Sequence, residues 1–240
     1  MKLGIIVQCR MNSKRLPGKI LKKVLDKSLL EYLIERLLRV QKTKHICIAC
    51  TTNKEDNVIL DLANKYNLST YCGSENNVLE RYYHAASEYK YTDIMRVTSD
   101  CPLIDPSILD EIIIKYYRTK NIDYLSNSLK RTYPLGMEAE IFSFKSLQTS
   151  YKEVKSNFDK EHVTQYIKRN IVFKKKGIVS KKIMSNYRLT LDTKEDFFLI
   201  SKVITNLYPK NKFFTLMDII NFLNKNKDVF DLNKNVKQIS

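Results

Sequence analysis

Four cationic side chains, Arg10, Lys14, Arg15 and Lys19, fall within ten residues and directly follow an apolar run, Leu3-Gly4-Ile5-Ile6-Val7. The stretch closes on Pro17-Gly18, a pair that favours a sharp turn and lets backbone approach a ligand closely. A buried strand that empties into such a loop suits a polyphosphate. Guanidinium groups grip phosphate oxygens in pairs, whereas a lysine supplies a compact point charge. Arg10, Arg15 and Lys19 are therefore the phosphate-holding candidates, Ser13 adds a neutral donor, and Lys14 is expected to face solvent. The two commonest phosphate loops are excluded. Ile20 stands where a P-loop requires Ser or Thr, and a chain with five glycines contains no G-x-G-x-x-G.

Charge on a reacting phosphoryl group calls for a divalent cation, and magnesium favours hard carboxylate oxygens while keeping several waters. Asp100 follows the strand-like Arg96-Val97-Thr98, and Asp192 ends Arg188-Leu189-Thr190-Leu191. Each alone reads equally well as a cap or turn former; two acids at matching strand ends favour ligation. Glu138 and Glu140, two apart on an expected strand, share a face and could meet acceptor hydroxyls. Glu161 and His162 are expected in the first turn of a helix, where His162 could hold an acceptor anion or act as a base, with capping and packing as the plain alternative.

The elements that must position these groups alternate. Ser28-Leu29-Leu30-Glu31 is a capping box ahead of a helical apolar stripe. A strand at about 45–51 leads to a helix with Asn53 as its expected cap, and a short strand, Ser69 to Cys72, precedes a helix near 77–90. Asp93 to Thr98 reads as a strand, and Pro106 opens a helix. Beyond residue 121, Ile122–Leu125 and Met137–Phe144 are expected strands around a turn-rich segment. Asp159 is the expected cap of a helix through Ile167, Arg188–Leu191 is the last strand, and helices near 194–207 and 215–226 close the chain. Strands alternating with helices imply a mainly parallel, three-layer sheet with ligands at the carboxyl ends of its strands.

The pattern R-x-x-S-x-R-L-P-G-K at Arg10–Lys19 resembles the signature of cytidylyltransferases that make CMP-activated sugar acids, the 3-deoxy-manno-octulosonate and acylneuraminate enzymes, and is most similar to their spore coat polysaccharide biosynthesis branch. The resemblance runs through Thr51-Thr52-Asn53, Asn77 to Tyr83, Arg96 to Pro106, Tyr133 to Glu138, Glu161 to Thr164 and Arg188 to Asp192, about residues 1–235. It implies a nucleotide-diphospho-sugar transferase-like, Rossmann-like α/β/α domain over 1–240, with an acceptor-side or dimerisation insertion near 126–170. It also implies CTP and an anionic sugar-like acceptor as substrates and Mg2+ as cofactor. In the resembling family, acids matching Asp100 and Asp192 bind the metal, and the arginine matching Arg81 helps hold nucleotide. Thr51 is a base or ribose contact, or simply a strand residue. Gln8 replaces the proline common in the classical synthetases, as in the spore-coat branch, and Glu138 stands where the relatives carry Asp. A homodimer stays open.

Composition bounds this reading. A length of 240 residues allows one large α/β domain. Five cysteines, an odd number with no secretory segment expected, point to reduced thiols in the cytoplasm. Cys47-x-x-Cys50 has redox or zinc spacing, but residues three apart on a strand face opposite sides, so both are expected to fill core. No apolar run approaches the ~20 residues that span a bilayer. The net charge of +16, from 42 basic and 26 acidic residues, is spread along the chain without a nucleic-acid motif, which disfavours a nucleic-acid-binding module but would attract anionic substrates. A glycosyltransferase with a related sheet is the other alternative; it typically carries Asp-x-Asp, and no two aspartates here are two apart.

Overall fold

The computed structural model describes residues 1–13 and 15–237. In chain order the strands are β1 (Leu3–Gln8), β2 (Lys23–Val24), β3 (Lys27–Ser28), β4 (His45–Thr51), β5 (Ser69–Gly73), β6 (Asp93–Thr98), β7 (Tyr124–Ser126), β8 (Glu140–Ser143) and β9 (Lys175–Gly177). Apart from the small β2–β3 hairpin they form one seven-stranded sheet, in the order β5-β4-β1-β6-β8-β7-β9. β5, β4, β1 and β6 pair in parallel, β8 runs against both β6 and β7, and β9 is parallel to β7. The chain leaves β1 towards β4 and β5, then returns to place β6 on the other side of β1. That reversal opens a crevice where the carboxyl ends of β1 and β6 diverge.

Alternation along the strands divides the core into two layers. Ile5, Val7, Ile48, Cys50, Met95 and Val97 pack against α1 (Leu29–Leu37), α4 (Pro106–Arg118), α8 (Lys194–Leu207) and α9 (Leu216–Lys225). Ile6, Cys47, Ala49 and Ile94 face the opposite layer, built on α3 (Val78–Glu88) and α5 (Phe144–Glu153). Cys47 and Cys50 thus fill different layers, as a strand's period of two requires. Helix starts follow their caps. Ser28, Thr193 and Thr215 each form a capping box, with Glu31, Asp196 and Asp218 respectively; Asn77 caps α3, and Asp105 caps α4 ahead of Pro106.

Four expectations are corrected. Asn53 does not cap a long helix: a 3-10 turn, Lys54–Asp56, intervenes before α2 (Asn57–Lys65), and the Asn53 amide donates to Glu75 instead. Ser156, not Asp159, caps α6 (Asn157–His162), which ends at Val163, so Glu161 and His162 sit in its last turn rather than a first one. Val163 has φ 58° and ψ −56°, and the Thr164 N–H donates to the His162 carbonyl at 2.6 Å, a strained γ-turn that separates α6 from α7 (Gln165–Arg169). Met137–Ala139 stay outside β8 because the Asn127 side chain takes their ladder bonds, donating to Met137 O and accepting from Ala139 N; Phe144 begins α5 rather than ending the strand. Arg188–Leu191 is extended but makes only an isolated bridge to Leu135, since its other partners are loop atoms.

That bridge explains Gly136. Its φ is +95°, and a Cβ there would lie 2.6 Å from Leu189 C and 2.7 Å from Thr190 N, which are backbone atoms that cannot swing away. Gly136→Ala is expected to cost about 1–3 kcal/mol of stability from the backbone conformation alone, with more from the clash. Urea denaturation measures it; an unchanged midpoint would show that the bridge yields.

Candidate active site

The carboxyl ends of β1 and β6 deliver Gln8, Cys9, Thr98, Ser99 and Asp100 to a cavity of about 450 Å³. The cationic loop is anchored beside it. The Met11 N–H donates to Asp56 Oδ1 at 2.8 Å, and the Met11 carbonyl accepts from Ser13 N at 2.9 Å and Gly18 N at 3.0 Å. Gly18, at φ +64°, supplies the left-handed turn that only glycine adopts freely and aims Lys19 back at the cavity. Asp56 Oδ2 accepts from the Thr51 N–H and hydroxyl, at 2.9 and 2.7 Å, so the end of β4 and the start of the loop hang on one carboxylate.

Lys19 Nζ donates to the Leu191 carbonyl at 2.7 Å and Asp192 Oδ1 at 2.9 Å, and lies 3.6 Å from Asp100 Oδ2. Arg15 Nη2 reaches the same Asp192 oxygen at 2.9 Å, and Arg188 Nη2 holds the other at 3.2 Å. Burial on its own would raise the Asp192 carboxyl, but Lys19, Arg15 and Arg188 outweigh it and hold the group below its ordinary range. The Thr98 hydroxyl donates to Asp100 Oδ1. Among the described residues no group of three or more His, Cys, Asp or Glu side chains forms a metal cage. Two hard carboxylates facing one shared ammonium fit magnesium, which takes few protein oxygens and fills its shell with water and phosphate. They do not fit zinc, which wants three or four ligands.

Arg81 projects from α3 into the cavity with 1% of its surface exposed, and its Nε and Nη1 have no hydrogen-bond partner among the described residues. Burial lowers its pKa. An unpartnered buried guanidinium is costly, and the cost is removed when an acceptor enters. Arg96, midway along β6, donates through Nε to Gln8 at 3.1 Å and through Nη1 to Glu140 at 3.0 Å. Glu140 also pairs with Lys168 and accepts from Tyr124 and Thr164, at 3.0 and 2.8 Å. Although burial favours its neutral form, Arg96 and Lys168 bring Glu140 down to about 2. Glu138 accepts from Gly136 N at 2.6 Å, and burial pushes it up to about 7.

Arg10, Ser13, Arg15, Lys19, Arg81, Asp100, Glu161, His162 and Asp192 all line the cavity, so the structure gathers most of the residues expected from sequence. Arg10 Nη2 lies 3.6 Å from Glu161 Oε1 across its mouth. Thr51, Glu138 and Glu140 are not on its wall: Thr51 is spent on Asp56, Glu138 precedes β8 instead of sharing its face with Glu140, and Glu140 stands behind Arg96. Lys14 lies outside the described residues. Arg96 and Arg188 were missed as site residues. Both carried a signal, a lone arginine inside an otherwise buried strand-like run, a position seldom charged without a partner.

A mainly parallel sheet whose switch-point cavity gathers cationic side chains around two carboxylates is the arrangement of a nucleotidyltransferase-type site. The cytidylyltransferase family profile matches residues 4–233, and the chain belongs to that family. The spore coat polysaccharide biosynthesis protein SpsF of Bacillus subtilis is 30% identical over 232 residues, covering 93% of this chain and 94% of SpsF. A cytidylyltransferase structure from Leptospira borgpetersenii superposes with a TM-score of 0.92 at 33% identity, covering 100% of this chain and 99% of that one. The structure of CMP:2-keto-3-deoxy-manno-octonic acid synthetase complexed with CTP shares the fold at TM-score 0.64 and 12% identity, over 86% of this chain and 99% of the other.

The Glu140 network makes stability acid-sensitive. Because the folded carboxyl titrates at about 2 against an ordinary 4.5, its contribution is complete above 4.5 and is lost as pH falls towards 2. Glu140→Gln leaves Arg96 and Lys168 facing each other and is expected to cost about 3–5 kcal/mol at neutral pH. Its stability should also change less between mildly acidic and strongly acidic buffer than that of the parent. Denaturant titrations across that range test both; parallel pH curves for the two proteins would count against the network.

Proposed function

We propose that this cytidylyltransferase transfers CMP from CTP to an oxygen of an anionic sugar-like acceptor, a sugar acid or phosphorylated sugar, releasing pyrophosphate with Mg2+ as cofactor. The observation that carries the reading is the unpartnered, buried Arg81 facing the same cavity as Lys19, Asp100 and Asp192. SpsF's association with spore coat polysaccharide and the CTP complex of the octonic acid synthetase support the substrate classes and a role in surface glycan synthesis.

Arg10, Arg15 and Ser13 hold the triphosphate, and Arg81 holds the nucleotide from the α3 side. Glu161 and His162, on the α6 wall beside Arg96, receive the acceptor. The acceptor oxygen attacks the α-phosphorus and gives up its proton to His162 as base; the bond from that phosphorus to the bridging oxygen breaks, and pyrophosphate leaves with the electron pair. Lys19, gripped by Leu191 O and Asp192, is positioned to neutralise charge developing on that bridging oxygen. Asp100 and Asp192 would hold magnesium, which would supply further positive charge at the phosphates.

A screen of the four nucleoside triphosphates against sugar acids and sugar phosphates, read by pyrophosphate release with magnesium, tests the proposal. CTP should be strongly preferred; comparable turnover with ATP or GTP would defeat it. Asp100→Asn and Asp192→Asn are each expected to lower turnover about 10²-fold or more while the protein stays folded. Lys19→Ala should lower kcat more than it weakens CTP binding, because a transition-state contact is removed. Lys14→Ala removes an equal charge from the same loop, and equal, salt-sensitive losses in both variants would reduce the loop to a diffuse basic patch.

A further inference from the structure

Cys47-x-x-Cys50 suggests a thiol pair by its spacing, but the sheet sets those two cysteines on opposite faces and gives Cys50 a different partner. Cys50 on β4 and Cys72 on β5 are in-register neighbours of a parallel pair, and their sulfurs lie 3.4 Å apart. Adjacent strands are about 4.8 Å apart, inside the roughly 4.4–6.8 Å Cα separation that a disulfide spans. The two thiols differ in access. Cys72, on the edge strand, is exposed, whereas Cys9, Cys47, Cys50 and Cys101 are buried.

We propose that Cys50 and Cys72 form a peroxide-oxidisable dithiol that closes to a disulfide and weakens nucleotide binding. The exposed Cys72 thiol gives up its proton, and its sulfur attacks a hydroperoxide. The sulfur's electron pair breaks the O–O bond, leaving a sulfenic acid on Cys72, and the departing hydroxide, in the case of hydrogen peroxide, takes up the released proton as one water. The Cys50 sulfur then attacks the Cys72 sulfur; the S–S bond forms, the S–O bond breaks, and the hydroxyl departs as a second water with the Cys50 proton. Two thiols are oxidised and one peroxide is reduced. Burial and the Cys72 contact raise the Cys50 thiol, so it is the resolving partner and acts by proximity.

Each cysteine directly precedes a residue that shapes the cavity. Gly73 follows Cys72 and leaves room for the Arg81 stem; a Cβ on Gly73 would lie 2.9 Å from Arg81 Cγ. Thr51 follows Cys50 and binds Asp56, which anchors the cationic loop at Met11. A covalent bond in place of the sulfur contact would tie together the two strand ends on which Arg81 and the loop rest and restrict their adjustment to a bound nucleotide.

The test treats the full chain with hydrogen peroxide, blocks remaining thiols and maps peptides without reduction. A Cys50–Cys72 linked peptide, lighter by two hydrogens and released by dithiothreitol, is expected. Cys50→Ser should stop at a dimedone-reactive sulfenic acid on Cys72, and Cys72→Ser should give neither product. CTP affinity should fall severalfold on oxidation of the parent, recover on reduction, and stay constant in peroxide-treated Cys72→Ser. A bridge between chains, Cys72 over-oxidised without a bridge, or a bridge that leaves CTP affinity unchanged would each overturn the proposal. Failure of the reduced protein to bind CTP would instead count against the function proposed above, with the peptide map still deciding the cysteine chemistry.

Discussion

The carbonyl of Asp100 accepts the Leu191 N–H at 2.8 Å and the Thr190 hydroxyl at 3.2 Å, and the polar end of the cavity is built on that junction. Lys19, from the loop that follows β1, seals it by donating to Leu191 O. The Asp192 side chain is then set from behind: Asp196 accepts from Asp192 N at 3.0 Å and Arg188 Nε at 2.8 Å, and Asn233 donates to Asp196 at 2.8 Å. The chain's last helices therefore fix the aim of one carboxylate. A fully buried Asp196 is tolerable because each of these donors offsets its desolvation.

Charge on the cavity wall is unbalanced. Arg10, Arg15, Lys19, Arg81 and Arg96 face Asp100, Asp192 and Glu161, five cations against three anions with His162 left out. Lys19 and Arg15 both pair with Asp192, whereas Arg81 Nε and Nη1 have no hydrogen-bond partner among the described residues. The triphosphate of the proposed substrate would supply the missing negative charge. In the proposed reaction a divalent cation would in turn replace the lysine's share of charge on the two aspartates.

Strong local signals made much of this legible in the sequence. The capping box at Ser28, the Pro-Gly turn and the runs of Ile and Val located the parallel half of the sheet and its edge. Asp100 and Asp192 were readable as a pair because each follows a short apolar strand-like segment. Residues 121–192 were harder, since there a side chain replaces ladder bonds, Asn127 serving the backbone of Met137 and Ala139, and side chains far apart in sequence pair, as Thr164 does with Glu140. No periodicity reports such substitutions. Glu140 looked like a ligand contact for the same reason, because its partners Arg96, Lys168, Tyr124 and Thr164 come from four separate elements.

The reversal of β8 shapes what can vary. A parallel strand brings one loop to the functional edge and carries the next away through a crossover. β7 ends and β8 begins at that same edge, so residues 127–139 leave the sheet and return to it at neighbouring points. Such a segment can be lengthened, shortened or recoloured without rethreading any other strand or shifting the register of β6. It is an exchangeable module of thirteen consecutive positions, 127 to 139, with Gly136 as the fixed stitch that keeps the segment against Leu189.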